Sequence, residues 1–363
     1  MISARQNGSV AQETSQWGVL NGLRFFLAFV VLTGHISSFV NGRDDWTHAG
    51  LSINQGSAVF GFFVIDGFAC ADRLSREPST YFNWRFYRIY PVFLANLLLV
   101  LAAYYAIGTD FRYPQGQLIQ MPTVAKVLGT LVMAQQFLTL IVPLNGQTWS
   151  VACFWWLGIL APQLRRVRTG PLLCLMAASY VTFLIFQHWM PVGMHVWTYG
   201  RAFLGVSWIW LSGFMWQRLR NTALGVCLLI VPATVAAAAG YFIGLPLLLT
   251  LVILMLSDRV KLGIAATAVL VWSGDLAFPL YLSHTPVVAF LCNLRITNSL
   301  ALTAACLAVS AIVVHCVDYP ARRWLSRREA VAAFESSFVP AALATGRILE
   351  RSHDRGVQVD RLS

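Results

Sequence analysis

Arg24 and His35 stand eleven positions apart in the apolar run Leu23–Asn41. At ~100° per residue, eleven steps of a helix close about three turns. Both side chains therefore leave one face, ~16 Å apart along the axis. Charged and titratable groups inside an apolar helix are costly and mark function more often than packing. With Arg24 near one membrane surface and His35 deeper, the pair suits an extended substrate with an anionic head and a reactive end. Coenzyme A is a molecule of that shape. The structural alternative is a snorkelling arginine plus a histidine that bridges helices.

Other ionisable residues fall in similar runs. Arg85 and Arg88, at i and i+3 before Pro91, share a helix face and can clamp phosphate with forked donors, or simply anchor the helix end. Asp66, within FFVIDGF, needs a partner, either an arginine or His35. Tyr281 and His284, again at i and i+3, can hydrogen-bond a substrate or fix a neighbouring helix. Arg201 opens an aromatic span and can line a polar cavity, and Asp318 is expected to cap its helix or pair with Arg322. The chain contains no P-loop, no dinucleotide fingerprint and no nucleophile elbow at Trp149-Ser150. Its seven cysteines lie in apolar runs without a CxxC pair, so neither a disulfide framework nor a metal site is expected. His35, whose ordinary pKa lies near ~6.5, is the best reactive group.

The elements that must position these residues are transmembrane helices. The 363 residues are 57% hydrophobic and 11% charged, far below the roughly one quarter charged residues of a soluble domain. Apolar blocks recur at Leu23–Asn41, Gly56–Asp72, Tyr90–Ile107, Trp149–Leu164, Leu172–Gln187, Trp197–Trp216, Ala223–Gly240, Phe242–Leu256, Leu276–Cys292 and Ser299–Val317. Most approach the ~20 residues that cross a bilayer, and lipid permits only helix there. The expected fold is all-α: a polytopic membrane bundle of about ten transmembrane helices. The polar-flanked Thr123–Pro143 segment is expected as a re-entrant or interfacial helix.

The net charge of +11 suggests orientation rather than nucleic acid, because the cations cluster beside the apolar blocks. Clusters at Arg73–Arg88, Arg165–Arg168, Arg218–Arg220, Arg259–Lys261 and Arg322–Arg328 all fall on one side if ten helices cross. That leaves Arg43, Arg112, Lys126, Arg201 and Arg295 outside or near the outer face. Both termini are then cytoplasmic: a tail over 1–20 without the core of a signal peptide, a membrane domain over 21–325, and a second tail over 326–363.

Six segments together resemble the membrane acyltransferase-3 family, the ten-helix O-acyltransferases of bacterial envelopes and some antibiotic pathways. They are LNGLRFFLAFVVLTGH, FFVIDGF, RFYRIYP, TWSVACFWWLGILAP, LAFPLYLSHTP and VDYPARRW, in family order from Leu20 to about Trp324. Three positions depart from the pattern: Asp66 replaces a serine, Phe154 a glutamate, and Asp318 a glutamate.

The resemblance implies transfer of an acyl group, in most cases acetyl, from acetyl-CoA to a sugar hydroxyl of a cell-envelope or exported polysaccharide or its lipid-linked precursor. The setting would be the bacterial inner membrane, with polysaccharide assembly machinery as a partner. It implies catalytic roles for His35, Arg24 and Asp66, acyl-CoA contacts from Arg85 and Arg88, and acceptor contacts from Trp149, Ser150, Arg201, Tyr281 and His284. Two other readings stand beside it: a transporter or export partner with a His35/Asp66 proton relay, and acylation of a small-molecule glycoside.

Overall fold

The computed structural model describes residues 2–40, 46–108, 119–189, 198–220, 222–240 and 243–328; the tail beyond 328 lies outside the described residues. Helices occupy all ten apolar blocks. In chain order they are α1 (Ile2–Val40), α2 (His48–Ser52), α3 (Gln55–Arg76), α4 (Tyr81–Ile107), α5 (Val124–Leu131) and α6 (Thr148–Arg166). There follow α7 (Thr169–Trp189), α8 (Arg201–Leu219), α9 (Ala223–Ala238), α10 (Leu245–Leu256), α11 (Ile264–Asn293) and α12 (Ser299–Val313).

Among the described residues, five segments are long and apolar enough to cross a membrane: Thr14–Val40, Tyr81–Ile107, Thr169–His188, Ile264–Asn293 and Ser299–Arg328. The helices α3, α6 and α8 have the length but are less apolar, because they carry buried polar side chains toward the centre. With 16 and 12 residues, α9 and α10 fall short of the ~20 that span the hydrocarbon core. Valines and leucines stand exposed along the outer helices, among them Val181, Val231, Val235 and Leu300. A water-facing surface does not carry such rows; a lipid-facing one does.

Helix ends extend past the apolar blocks wherever polar side chains find partners inside the bundle. Thus α4 begins at Tyr81 rather than Tyr90, with Tyr81 and Arg85 bonded to α6; α11 begins at Ile264 rather than Leu276, its added residues being mostly apolar and followed by the ion-paired Asp275. In the 123–143 segment, α5 has eight residues, capped by Thr123 Oγ1, which accepts from Lys126 N at 3.3 Å. That is ~12 Å of helix, too short to cross. The chain then turns back through residues 132–147, where Gln135 and Gln136 are fully buried. Gln135 donates to the Thr148 carbonyl (3.3 Å), and the Gln136 N–H to that of Thr139 (3.0 Å).

The central seam is α1 against α11, flanked by α12 and α4; a second layer packs α3 on α8, with α6 and α7 beside them. After Val313 the last helix widens into a π-helical turn, Val314–Asp318, a deviation that often accompanies function. Asp318 closes that turn and is 1% exposed.

Candidate active site

A cavity of about 100 Å³ opens where α1, α3, α4, α6, α11 and the end of α12 converge. Seven ionisable side chains line it: Arg24, Asp66, Arg85, Arg88, Asp275, Asp318 and Arg322. Two clusters neutralise most of that charge. Arg85 Nη1 and Nη2 donate to the two carboxylate oxygens of Asp66 at 2.7 and 3.0 Å, and Trp210 Nε1 donates to the same carboxylate at 2.8 Å. Arg85 also donates to the Phe154 carbonyl. Gly158 makes that path possible, since a Cβ there would lie 2.1 Å from Arg85 Nε. In the second cluster Arg322 joins Asp275 (2.7 Å) to Asp318, and Tyr319 OH donates to Asp275 at 3.2 Å.

Arg24 and Arg88 are left without a carboxylate within ion-pair distance among the described residues. Arg24 donates only to Asn21 Oδ1 (3.2 Å) and lies over the Trp17 ring at 5.7 Å. Arg88 has no hydrogen bond among the described residues, although it lines the cavity. Two arginines with no carboxylate at ion-pair distance among the described residues, in a half-enclosed, low-dielectric site, form a candidate anion site, and phosphate matches their donor geometry.

Further along the seam, His35 and His284 meet with ring centroids 4.8 Å apart. Arg24 faces Gly274–Pro279 of α11 across the cavity while His35 meets His284 of the same helix, so both project toward α11, as their spacing requires. His35 Nδ1 lies 2.9 Å from the Val31 carbonyl, and His284 Nδ1 lies 3.1 Å from that of Leu280. A carbonyl only accepts, so each Nδ1 carries the hydrogen, and in the neutral ring Nε2 holds the lone pair. Phe62, Phe154 and Phe278 line the cavity, and Phe62 packs on Tyr281 at 5.5 Å. Through Tyr281, whose ring lies 6.3 Å from that of His284, Phe62 connects the cavity wall to the histidine pair.

The remaining expected residues divide. Tyr281 OH and Ser150 Oγ hydrogen-bond each other at 2.8 Å, and the Tyr281 hydroxyl also donates to the Gln147 carbonyl (3.1 Å). They tie α6 to α11 one turn before His284, a position that serves the helix contact first. Trp149 is buried against Phe63 (5.9 Å), and Arg201 opens α8; neither lines the cavity. Arg85 shares a cavity with Arg88 as its spacing suggests, but its fork is occupied by Asp66. Asp66 pairs with an arginine and makes no bond to His35, which removes the direct step of a His35/Asp66 relay.

Sequence reasoning passed over Asp275, although it lies in the apolar stretch VWSGDLAF and the rule that flagged Asp66 applies equally to it. Trp210 gave no such signal, because nothing in an aromatic-rich helix distinguishes the indole that finds a carboxylate.

No curated protein and no solved structure matches the chain. Residues 17–317 match the acyltransferase domain of the acyltransferase-3 family, a span that holds both the cavity's arginines on α1 and α4 and the histidine pair. The chain belongs to the acyltransferase-3 family of acyltransferases.

Proposed function

We propose that this acyltransferase moves an acyl group, acetyl in the first instance, from cytoplasmic acetyl-CoA to a hydroxyl of a cell-envelope or exported carbohydrate. It works as a multi-pass protein of a bacterial inner membrane with both termini inside. The observation that carries this reading is the shared seam: two arginines with no carboxylate at ion-pair distance among the described residues at one end of the α1–α11 interface, and an imidazole whose Nδ1 bonds the Val31 carbonyl some three turns further along it. The cavity is small beside the several hundred Å³ of a complete ligand site. It suits a phosphate-sized group, with the rest of the donor running in and out of it. Arg24 and Arg88 hold the phosphates, and Arg85, locked by Asp66, shapes the wall.

The thioester arm must leave the cavity past its aromatic wall, where Phe62 packs on Tyr281, to reach His35. There Nε2 takes the proton of the acceptor hydroxyl as general base. The hydroxyl oxygen bonds to the acyl carbon, the carbon–sulfur bond breaks, and the proton passes to the departing thiolate. The test is purified protein in lipid nanodiscs with acetyl-CoA and envelope carbohydrate. His35→Ala should fold normally and release free thiol at least ~10²-fold more slowly. Full activity in that variant removes His35 from the chemistry. Labelled acetyl retained on enzyme without acceptor would make His35 an acyl carrier instead of a base.

A further inference from the structure

One residue of the cavity wall is left idle by the transfer step. Trp84 lines the cavity from the first turn of α4, four residues before Arg88. At that spacing the two side chains share a helix face, ~6 Å apart along the axis, with Trp84 nearer the end where α4 begins. The indole is only partly buried, yet it is held on two sides. Tyr81, fully buried and tied by its hydroxyl to the Gly158 carbonyl at 2.8 Å, packs on it at 5.9 Å. Across the turn that joins α3 to α4, Arg73 places its guanidinium carbon 5.9 Å from the ring centroid. A fixed, partly open aromatic face beside a guanidinium suits a flat heterocycle that carries phosphate.

Arg73 is not fully spent on its own neighbours. Its Nη2 donates to Thr80 Oγ1 at 2.9 Å and pairs with Glu77 at 2.6 Å. Its Nε is buried with no hydrogen-bond partner among the described residues, and a buried donor in that state calls for an acceptor. The Glu77 side chain is 51% exposed, and an exposed ion pair contributes little, so it yields to a stronger anion.

The proposed donor needs such a place. In coenzyme A the pyrophosphate joins two arms: pantetheine, which ends in the thioester, and an adenosine that carries a 3′-phosphate. With the pyrophosphate on Arg24 and Arg88, the pantetheine arm leaves past Phe62 toward His35. The adenosine must leave the other way, because the cavity, at about 100 Å³, takes a phosphate-sized group and no purine beside it. That way leads to the start of α4, where Trp84 and Arg73 stand. We propose that these two residues form the adenosine end of the donor site: the Trp84 indole carries the purine, and the Arg73 guanidinium holds the 3′-phosphate. The proposal rests on acetyl-CoA being the donor.

The test uses the full chain in nanodiscs of zwitterionic lipid, which removes anionic headgroups as competitors for Arg73. Equilibrium binding of adenosine 3′,5′-bisphosphate and of 5′-AMP is measured beside the KM values of acetyl-CoA and acetyl-dephospho-CoA. The wild type should bind the bisphosphate roughly 10–100-fold more tightly than 5′-AMP, the worth of one charged partner. Arg73→Gln should erase that preference and leave 5′-AMP binding as it was. Trp84→Leu should weaken both nucleotides at least ~10-fold, and Trp84→Phe should restore most of the loss. A wild type that turns over acetyl-CoA and acetyl-dephospho-CoA with equal KM overturns the subsite and leaves acyl transfer standing. A 3′-phosphate preference that survives in Arg73→Gln does the same. So does unchanged nucleotide affinity in Trp84→Leu, which would leave the indole a helix contact only. A wild type without acetyl-CoA turnover sinks the donor reading, and the subsite falls with it. Should Trp84→Leu fail to fold, the wild-type preference and its loss in Arg73→Gln still decide the matter.

Discussion

Arg85 and Arg88 lie one turn apart on α4, and their surroundings give them opposite parts. Arg85 is 3% exposed and bonded on both fork nitrogens, whereas Arg88 faces the same cavity with no hydrogen bond among the described residues. Breaking a buried ion pair from one side costs about 3–5 kcal/mol, because the surviving charge stays buried. Arg85→Ala should therefore lower the thermal unfolding midpoint sharply. Replacing Arg85 and Asp66 together by leucines should recover most of that loss. Arg88→Ala should leave the midpoint unchanged and raise KM for acetyl-CoA by roughly 10–100-fold, the worth of one charged hydrogen-bonding partner. An unchanged KM would remove Arg88 from the donor site. The i, i+3 spacing in RFYRIYP reveals a shared face but not which arginine is already taken. That depends on Asp66 and Trp210, which lie far away in sequence, 144 residues from each other.

The second layer depends on how closely α3 and α8 approach. At Gly67 an added Cβ would lie 2.0 Å from the Trp210 carbonyl oxygen, and at Gly213 it would lie 2.0 Å from that of Val64. Backbone therefore meets backbone, the arrangement small residues allow between membrane helices. The same crossing delivers the Trp210 indole N–H to Asp66. Gly213→Ala should push the helices apart, cost at least ~1–3 kcal/mol of stability and loosen Arg85 through Asp66. Thermal unfolding in detergent checks this, and an unshifted midpoint would mean that the crossing yields more easily than backbone contact allows. Hydrophobic blocks located every long helix in the sequence because lipid leaves the backbone no other solution. Helix ends were less legible: Ser273, Gly274 and Asp275 interrupt an otherwise apolar run, so the reading that starts α11 after them misses residues 264–272, which are apolar and already helical. The close glycine crossing was invisible, since one-dimensional pattern does not say which glycine faces a neighbour.

Across the whole molecule, the chemistry needs a direction. If acetyl-CoA binds at Arg24 and Arg88, that end of the seam must face the cytoplasm, and His35 must lie toward the far side, where an envelope acceptor waits. The basic clusters agree with this orientation, because cations are retained on the cytoplasmic side. Arg73 and Arg76 end α3, Arg165 and Arg166 end α6, Arg218 closes α8, and Arg322 lines the arginine cavity from the end of the last helix. Ser75, exposed beside Asp72 and Arg76, and Asn298, exposed where it caps α12, then belong to opposite faces. In a background with all seven native cysteines replaced, Ser75→Cys should react with a membrane-impermeant thiol reagent only after the cells are opened. Asn298→Cys should react in intact spheroplasts. The reverse pattern would put the arginines outside, away from any pool of acetyl-CoA. Labelling of both from one side would mean that the two helix ends do not lie across the bilayer from each other, and the path from phosphate clamp to imidazole would no longer run through the membrane.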